Sequence, residues 1–519
     1  MLAGSMAEDV KGEDVAKAAG RGVLLIAAAK MYFIVASSAL ELLLPKLLGA
    51  VTFGAYGFVT QAVSAINNVI VTGTIQSVSR FTTAETDPNG AEAVKARGLK
   101  LHLLVGLPIA LLFAAGAPLL SHAVHDPSKT GPLALASIIV AAYAFYCVFV
   151  GSANGTRAFH KQAILDMTFA TLRVAGIVGA AAAGLGVYGA VGGWAAAAVT
   201  IFLIAAVWVG VPRAAAWRAA GSIRPMAAYL GGIAVYLFLT NLLLSTDAFL
   251  LKRLAAEWFH AQGLAIAEAA KLADAQVGYY RAVQVLARLP YQLMLAVTFI
   301  VFPLVSRATF AADAAATRGY ITTTMRYSLI ASALMASVLA ARPTALLDLP
   351  YPTAFADVGG PALAVLALGH VAFVLFTIAG TVLNSAGRTK DAIVISAITL
   401  ALVAGALWII VPRFAPGWQM LYACAAATTA AMALGAVLSG IALVKRFGAF
   451  VPLATVVRVA IAAAATIAAG RVSASRKLVP TAGLAVACGV VYVVVLVASR
   501  ELGGKDVALV KRALGRKRG

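Results

Sequence analysis

GYYRAVQVLARLPYQLMLAVTFIVFPLVSR, residues Gly278–Arg307, is an apolar stretch long enough to cross a lipid bilayer with some tilt. It also carries four polar residues whose spacings of 3, 4 and 4 place them on one helix face: Arg281, Gln284, Arg288 and Gln292. Cations inside hydrocarbon normally face a protein interior or a watery cavity, and guanidinium groups suit bidentate binding of phosphate or carboxylate. The stretch therefore predicts a membrane helix with an anion-binding face, kinked beside Arg288 by Pro290. The alternative is that both arginines reach toward the headgroup layer.

A related stretch lies earlier in the chain, at Gly54–Arg80, with the sequence GAYGFVTQAVSAINNVIVTGTIQSVSR. Both stretches begin with Gly and Tyr, continue as an apolar helix, and end in Ser-Arg. The polar residues of the earlier stretch also share one helix face: Gln61, Ser64, Asn68, Thr72 and Gln76. When the opening glycines are aligned, Ser64 falls opposite Arg288 and Asn68 opposite Gln292. The first copy therefore has a neutral polar face where the second is cationic, and both faces supply candidate substrate-binding residues.

Two further landmarks keep the same order in both halves of the chain. An acid precedes a lysine near the ends of predicted spans one and seven, and an asparagine precedes an arginine at the ends of spans four and ten: Glu41 and Lys46, Asp247 and Lys252, Asn154 and Arg157, Asn384 and Arg388. Because each half holds six predicted spans, an even number, the two halves have the same orientation in the membrane. The sequence predicts two parallel six-helix lobes followed by two additional C-terminal helices.

The composition is that of an integral membrane protein. Hydrophobic residues make up 62% of the chain and charged residues 12%, which excludes an ordinary soluble domain. The formal charge of +21 does not indicate a nucleic-acid partner, because the basic residues lie in short connections between apolar stretches. The three cysteines lie in apolar runs without disulfide or zinc spacing. We predict an all-α fold with fourteen transmembrane helices at 22–46, 54–79, 99–121, 132–154, 162–184, 187–211, 226–251, 277–305, 319–341, 359–385, 391–412, 417–442, 451–470 and 479–499.

The distribution of positive charge predicts the orientation of these helices. Most lysines and arginines fall in the N-terminal arm, the even-numbered connections and the C-terminal tail, which places both termini in the cytoplasm. The predicted domains are a cytoplasmic arm at 1–21, an N-lobe at 22–211, a cytoplasmic connection at 212–225, a C-lobe at 226–442, two further spans at 443–499, and a basic cytoplasmic tail at 500–519. Within the C-lobe, residues 252–276 are predicted to form an extracytoplasmic loop with a short amphipathic surface helix.

Charged residues inside spans one and five are further candidates for a site. Lys30 shares a face of span one with Ser37 and Glu41, and it either lines the cavity or reaches the cytoplasmic surface. Asp166 and Arg173 share a face of span five and are expected to pair with neighbouring helices.

Two more ionisable residues belong to the second half of the chain. Asp247, near the end of span seven, either takes up a coupling ion, H⁺ or Na⁺, or forms an interfacial pair with Lys252 or Arg253. His370 is a lone histidine in span ten, and a satisfied core histidine is favoured over a proton relay.

The sequence has no Walker loop, no HExxH or Cys/His cluster, and no Gly-x-Ser-x-Gly motif, which argues against ATP drive and against metal or serine chemistry. Only the loop at 252–276, with Glu257 and His260, could hold the catalytic residues of a membrane polymerase or ligase. We therefore predict a secondary transporter or flippase rather than an enzyme, with no cofactor beyond a coupling ion.

The number of spans, the two parallel lobes and several phrases resemble the multidrug/oligosaccharidyl-lipid/polysaccharide (MOP) flippase superfamily. Within it, the chain is most similar to bacterial polysaccharide transporters of the O-antigen type. The phrases are FGAYGFVTQA at 53–62, SRFTTAE at 79–85, STDAFLLKRL at 245–254, VGYYRAVQVLARLP at 277–290 and LNSAGRTKDA at 383–392.

The resemblance implies flipping of an undecaprenyl-diphosphate-linked oligosaccharide across the bacterial inner membrane by alternating access. It implies that Arg288, with Arg281 and Lys30, meets the diphosphate, and that Asp247 couples ion flow to transport. The implied partners are the lipid-linked oligosaccharide, membrane lipids and polysaccharide polymerase or assembly proteins. The alternatives are a lipid II flippase and a drug or metabolite-cation antiporter of the same fold. Multidrug members usually have twelve helices and acidic cavities, so the arginines favour the flippase branches.

Overall fold

The computed structural model describes residues 2–85, 87–294, 305, 309, 313–472 and 476–503, and this part of the chain contains helices and connections but no strand. The helices are α1 (Leu2–Thr83), α2 (Pro88–Leu101), α3 (Leu107–Ala123), α4 (Thr130–Gly155), α5 (Phe159–Ala182), α6 (Gly186–Val209), α7 (Ala214–Ala219), α8 (Arg224–Leu243), α9 (Thr246–Ala261), α10 (Ile266–Ala287), α11 (Ala314–Ala341), α12 (Pro343–Asp348), α13 (Thr353–Ser385), α14 (Thr389–Ile410), α15 (Trp418–Phe447), α16 (Leu453–Gly470) and α17 (Leu478–Ala498). A π-helical turn, His102–Gly106, joins α2 to α3, and Pro127–Lys129 is a 3₁₀ turn before α4.

Helix α1 contains the first two predicted spans, 22–46 and 54–79, with no surface loop between them. Gly49 lies outside the helical region, with φ of 70° and ψ of 172°, a conformation that glycine adopts without strain. Pro45 lies just before it and lacks the backbone donor of a helical residue. Together these two residues explain why the long helix is kinked here.

Twelve helices in the described part of the chain are long and apolar enough to cross a membrane. The first of them, Ala28–Thr83, has 56 residues and is long enough for two crossings. The predicted span at 277–305 lies partly outside the described residues. The prediction of an all-α, multi-pass membrane protein is confirmed, whereas the count of fourteen spans stays a prediction.

The region around residue 250 differs from the prediction. The span predicted as one helix at 226–251 is two helices, because α8 ends at Leu243 and α9 begins at Thr246. The predicted loop at 252–276 is occupied by α9 and α10, which are joined by a short turn containing Gly263 with φ of 89°. Alanine, leucine, glutamate and lysine dominate this segment, and all four have high helix propensity.

The chain forms two compact units that are not contiguous in sequence. Unit 1 is Met1–Ser245 with Leu264–Gly278, and unit 2 is Thr246–Gly263 with Tyr279–Gly519. In unit 1, α1 packs against α4, α5 and α8, and α4 packs against α6. In unit 2, α13 packs against α11 and α15, and α9 packs against α14. Helix α8 belongs to unit 1 and α10 is divided between the units, while the lobe boundary at 212–225 stays a prediction.

The last described turn of the chain is tied to unit 2 by Glu501, which is buried. Its carboxylate accepts hydrogen bonds from Arg326 Nε (2.7 Å), Thr455 Oγ1 (2.8 Å) and Arg458 Nη1 (2.9 Å). Burial by itself would raise the pKa of Glu501, but these hydrogen bonds outweigh burial and hold the pKa below its ordinary value. The ionised carboxylate therefore links the end of the chain to α11 and α16.

Candidate functional site

The chemistry-bearing residues of unit 2 converge on Asp247, in the first turn of α9. This residue is only 3% exposed, and its carboxylate accepts three hydrogen bonds. Tyr280 Oη donates to Oδ2 at 2.9 Å, while Gln284 Nε2 and the Ala248 backbone N–H each donate to Oδ1 at 2.9 Å. Three donors satisfy most of the acceptor capacity of a carboxylate, so this buried acid is well supplied with hydrogen bonds.

Arg288 supplies the positive charge beside this carboxylate. Helix α10 ends at Ala287, and Arg288 lies at a turn two residues before Pro290, where the sequence predicts a kink. The half-buried guanidinium interacts electrostatically with Asp247, and also with Tyr291 and His370. The turn at the end of α10 therefore places a cation within electrostatic range of the buried acid.

The other predicted residues on this face of α10 have different surroundings. Gln284 is buried and bound to Asp247, Arg281 is buried, and Gln292 is half-buried. Asp247 was predicted either to take up an ion or to form an interfacial pair with Lys252 or Arg253, and both alternatives stay predictions. The structure thus brings Gln284 and Arg288 together with Asp247.

Two residues beside this cluster carry features that sequence reasoning undervalued. His370 Nδ1 is within 2.9 Å of the Leu366 carbonyl oxygen, whereas Nε2 has no hydrogen-bond partner among the described residues. The Cys424 thiol lies 3.8 Å from the Asp247 carbonyl oxygen. The only signal in the sequence was that each residue stands alone in an apolar helix. An isolated histidine or cysteine does not indicate which residues of other helices lie beside it.

In unit 1, Lys30 is held by Asp166 of α5. The Lys30 ammonium lies 2.8 Å from Asp166 Oδ2, with 52% of the lysine side chain exposed and 10% of the aspartate side chain exposed. Lys30 was predicted to contact the diphosphate, and Asp166 was predicted to pair with a neighbouring helix. Lys30 of α1 is therefore the neighbouring-helix partner of Asp166, and the carboxylate offsets much of the lysine charge at this position.

Arg173 lies two turns beyond Asp166 and adds a second cation to unit 1. Its Nη2 donates to Ser37 Oγ at 2.9 Å, and its guanidinium lies 5.2 Å from the Phe33 ring centroid and 5.7 Å from that of Trp194. The two rings offer cation–π attraction. With Lys30 and Arg173 against one acid, the cluster has a net positive charge.

The neutral face of the first repeat also lies in unit 1. Asn68 is exposed and its Nδ2 donates to Asn241 Oδ1 of α8 at 2.7 Å, whereas Gln61 is buried. The neighbouring Asn67 is 5% exposed, and neither its Oδ1 nor its Nδ2 has a hydrogen-bond partner in the described part of the chain. Sequence reasoning missed Asn67 and Asn241, although an asparagine within an apolar helix is itself a signal of polar packing.

The described part of the chain is an all-helical fold of two compact units, with twelve helices long and apolar enough to cross a membrane. Solved membrane transporters have a similar fold. A lipid II flippase, MurJ, in an inward closed conformation is similar with a TM-score of 0.67 and 12% identity, covering 92% of this chain and 99% of that one.

Two conformations of a multidrug resistance MATE family transporter of the MOP superfamily are also similar. The inward-facing structure has a TM-score of 0.62 and 15% identity, covering 82% of this chain and 98% of its own. The outward-facing structure has a TM-score of 0.59 and 14% identity, covering 82% and 95%. No protein-family model and no curated protein matches the sequence. At these identities the likeness establishes a shared fold.

Proposed function

We propose that the protein is a MOP-type transporter that flips a lipid-diphosphate-linked oligosaccharide across the bacterial inner membrane by alternating access, with both termini in the cytoplasm. The observation that carries the proposal is Arg288, a half-buried cation at a helix break beside Asp247. A guanidinium in this position suits a diphosphate, because its planar fork donates two parallel hydrogen bonds to phosphate oxygens. The sugar occupies the aqueous cavity while the lipid tail remains in the bilayer.

The arrangement also supplies a means of ion coupling. Without substrate, Asp247 balances the charge of Arg288. When a diphosphate binds Arg288, the carboxylate loses much of this balance, and uptake of H⁺ or Na⁺ at Asp247 restores it. Substrate and ion then favour each other's binding by the same factor, because coupling between two sites is reciprocal. We expect Asp247→Asn to abolish the ion dependence of transport more than it lowers the amount of folded protein.

The surroundings of Arg281, Gln284 and Gln292 favour supporting roles around the diphosphate site. Gln284 positions the Asp247 carboxylate through its hydrogen bond, and Gln292 lies one helical turn beyond Arg288. In unit 1, Lys30, Gln61 and Asn68 remain candidate contacts to the sugar. We propose that Lys30, paired with Asp166, contacts the sugar and not the diphosphate, because the carboxylate already offsets the charge of the ammonium.

A lipid II flippase is the second candidate, and the coverage of the MurJ structure favours it. That structure covers 92% of this chain, whereas the MATE structures cover 82%. Lipid II also carries a diphosphate, so the same site would serve both substrates. A drug-cation antiporter fits less well, since Arg288 would repel a cation. Against a polymerase or ligase, Glu257 is already paired with Arg253 at 2.9 Å.

A flipping assay in proteoliposomes tests these candidates together. Fluorescent undecaprenyl-diphosphate oligosaccharide, lipid II and a cationic dye are compared for the wild-type protein and for Arg288→Ala. We expect the oligosaccharide to be flipped, and the variant to be slower by about tenfold to a hundredfold. Arg476→Ala is the matched control, since this exposed arginine contacts Asp357 at the surface. Wild-type rates in Arg288→Ala would remove the anion-binding proposal, and transport of the dye alone would favour the antiporter.

A further inference from the structure

The connection between α6 and α8, both of unit 1, adjoins two apolar helices that are each long enough to cross a bilayer. Helix α6 presents exposed apolar side chains almost to its end, and Val207 is 85% exposed. The segment 210–223 that follows contains the short helix α7, and the charge distribution predicts that it is cytoplasmic. Because the exposed apolar residues of α6 stop where this segment begins, we expect the segment to lie at the depth of the lipid headgroups.

Four cations from α2 and α5 donate hydrogen bonds to backbone carbonyl groups at the end of α6 and in this connection. The pairs, from side-chain nitrogen to carbonyl oxygen, are Lys161 to Trp208 (3.1 Å), Lys95 to Gly210 (2.9 Å), Lys100 to Trp217 (2.7 Å) and Arg97 to Ala220 (2.5 Å). Carbonyl dipoles orient these cations but do not cancel their charge. Glu92, 2.6 Å from Lys95, is the one acid paired with any of the four in the described part of the chain. The surroundings of the connection therefore remain strongly positive.

Helix α7 packs on α2 through one face and exposes arginines around it. Ala216 and Ala220 form a small buried apolar cluster with Ala96 of α2. Three exposed arginines in and beside α7 have no hydrogen-bond or ion-pair partner among the described residues: Arg213, Arg218 and Arg224. We call these three residues the arginine surface. The contacts with α2 fix the backbone that carries it, so the arginines are presented without a folding step.

We propose that the arginine surface binds the phosphate headgroups of anionic phospholipids. A planar guanidinium donates two parallel hydrogen bonds to phosphate oxygens, and basic residues beside a membrane attract anionic lipids. Trp208 and Trp217 flank the surface, and tryptophan is enriched at the boundary between hydrocarbon and headgroups. The exposed apolar side of α6 holds this face against the bilayer, which favours a lipid over a soluble anion. The surface lies in unit 1, whereas Arg288 lies in unit 2.

The first test measures lipid binding by the purified, full-length protein in neutral detergent. Fluorescent phosphatidylglycerol is the probe, and unlabelled phosphatidylglycerol, phosphatidylcholine and inorganic phosphate are the competitors. We expect phosphatidylglycerol to displace the probe, whereas zwitterionic phosphatidylcholine and free phosphate should not. Arg213→Gln, Arg218→Gln and Arg224→Gln together should weaken binding about a hundredfold, which is about fivefold for each arginine. Lysine at the same three positions should retain most of the binding, because the charge remains.

The matched control removes three exposed arginines from turns of unit 2 that are predicted to lie outside the cell: Arg413→Gln, Arg471→Gln and Arg476→Gln. It should bind the probe as the wild-type protein does, although it loses the same charge. Equal binding by the glutamine variant of the arginine surface and by this control would overturn the proposal. Equal displacement by phosphatidylcholine would show that headgroup charge is not recognised, and displacement by inorganic phosphate would indicate a free-phosphate site instead.

The second test locates the bound lipid. Hydrogen–deuterium exchange is measured for the protein in nanodiscs of phosphatidylcholine, with and without phosphatidylglycerol. We expect phosphatidylglycerol to slow exchange within 210–223 in the wild-type protein and in the control, but not in the glutamine variant of the arginine surface. Unchanged exchange in this segment of the wild-type protein would place the lipid elsewhere and refute the assignment. Neither test uses a transported substrate, so both results are independent of which lipid, if any, the protein flips.

Discussion

Arg288 and Asp247 interact electrostatically, and removing either charge is predicted to act differently on folding and on transport. Removal of Arg288 leaves the Asp247 carboxylate buried, with the donors Tyr280, Gln284 and Ala248 but without its neighbouring cation. Arg288→Ala is therefore expected to lower stability as well as transport, because the buried acid loses its neighbouring cation.

The size of the effect follows from the surroundings of the pair. Breaking a fully buried ion pair on one side destabilises a protein by about 3–5 kcal/mol. Arg288 is half-buried and three donors to Asp247 remain, so we expect about 1–2 kcal/mol for Arg288→Ala. The double variant Arg288→Ala/Asp247→Asn removes both charges and should recover most of that loss. Transport should not recover, because the diphosphate still lacks a charge-assisted bond of about 1.5–3 kcal/mol.

A double-mutant cycle tests this reasoning. Thermal unfolding in detergent and flipping in proteoliposomes are measured for both single variants and for the double variant. Recovered stability without recovered transport is the expected result. If the double variant is less stable than Arg288→Ala, the two charges do not stabilise each other in the folded protein. If the double variant transports at the wild-type rate, neither charge contacts the substrate or the coupling ion.

Two further predictions concern the ends of the chain and its orientation. The pKa of Glu501 in the folded protein lies below its ordinary value of 4.5, so the stability it contributes is complete above pH 4.5 and is lost as the pH falls through the folded pKa. Glu501→Gln should therefore flatten this part of a curve of stability against pH. Glu268→Gln, at an exposed position, should leave the curve unchanged. In intact cells, an impermeant maleimide should label Gln262→Cys, in the turn between α9 and α10, but not Asn89→Cys, at an exposed position at the start of α2. The reverse labelling pattern would show that the predicted membrane orientation is wrong.

Hydropathy located the apolar helices because burial in lipid requires only a long run of apolar residues. It failed at residues 252–276, where Lys252, Glu257 and Asp274 interrupt the apolar pattern of two regular helices. The burial of Asp274 depends on Lys129, which is 145 residues away in sequence. A window of local hydropathy contains no information about such a partner.

The candidate site shows the same limit. Helical periodicity correctly placed Gln284 and Arg288 near each other, since both lie on α10 and its continuation. The hydrogen bond from Gln284 and the electrostatic interaction of Arg288 with Asp247 depend on how α9 and α10 are placed in space, which the periodicity of neither helix determines. For the same reason, the position of Lys30 was evident from the sequence, but its pairing with Asp166 was not.

The interlaced division of the chain has a consequence for its synthesis. Unit 1 needs Leu264–Gly278, which the ribosome makes after Thr246–Gly263 of unit 2. Unit 1 therefore cannot be completed until Gly278 has been made, and by then the ribosome has already made Thr246–Gly263 of unit 2. Expression of the two halves as separate polypeptides, cut at 212–225, would leave unit 1 without α8 and without the first half of α10.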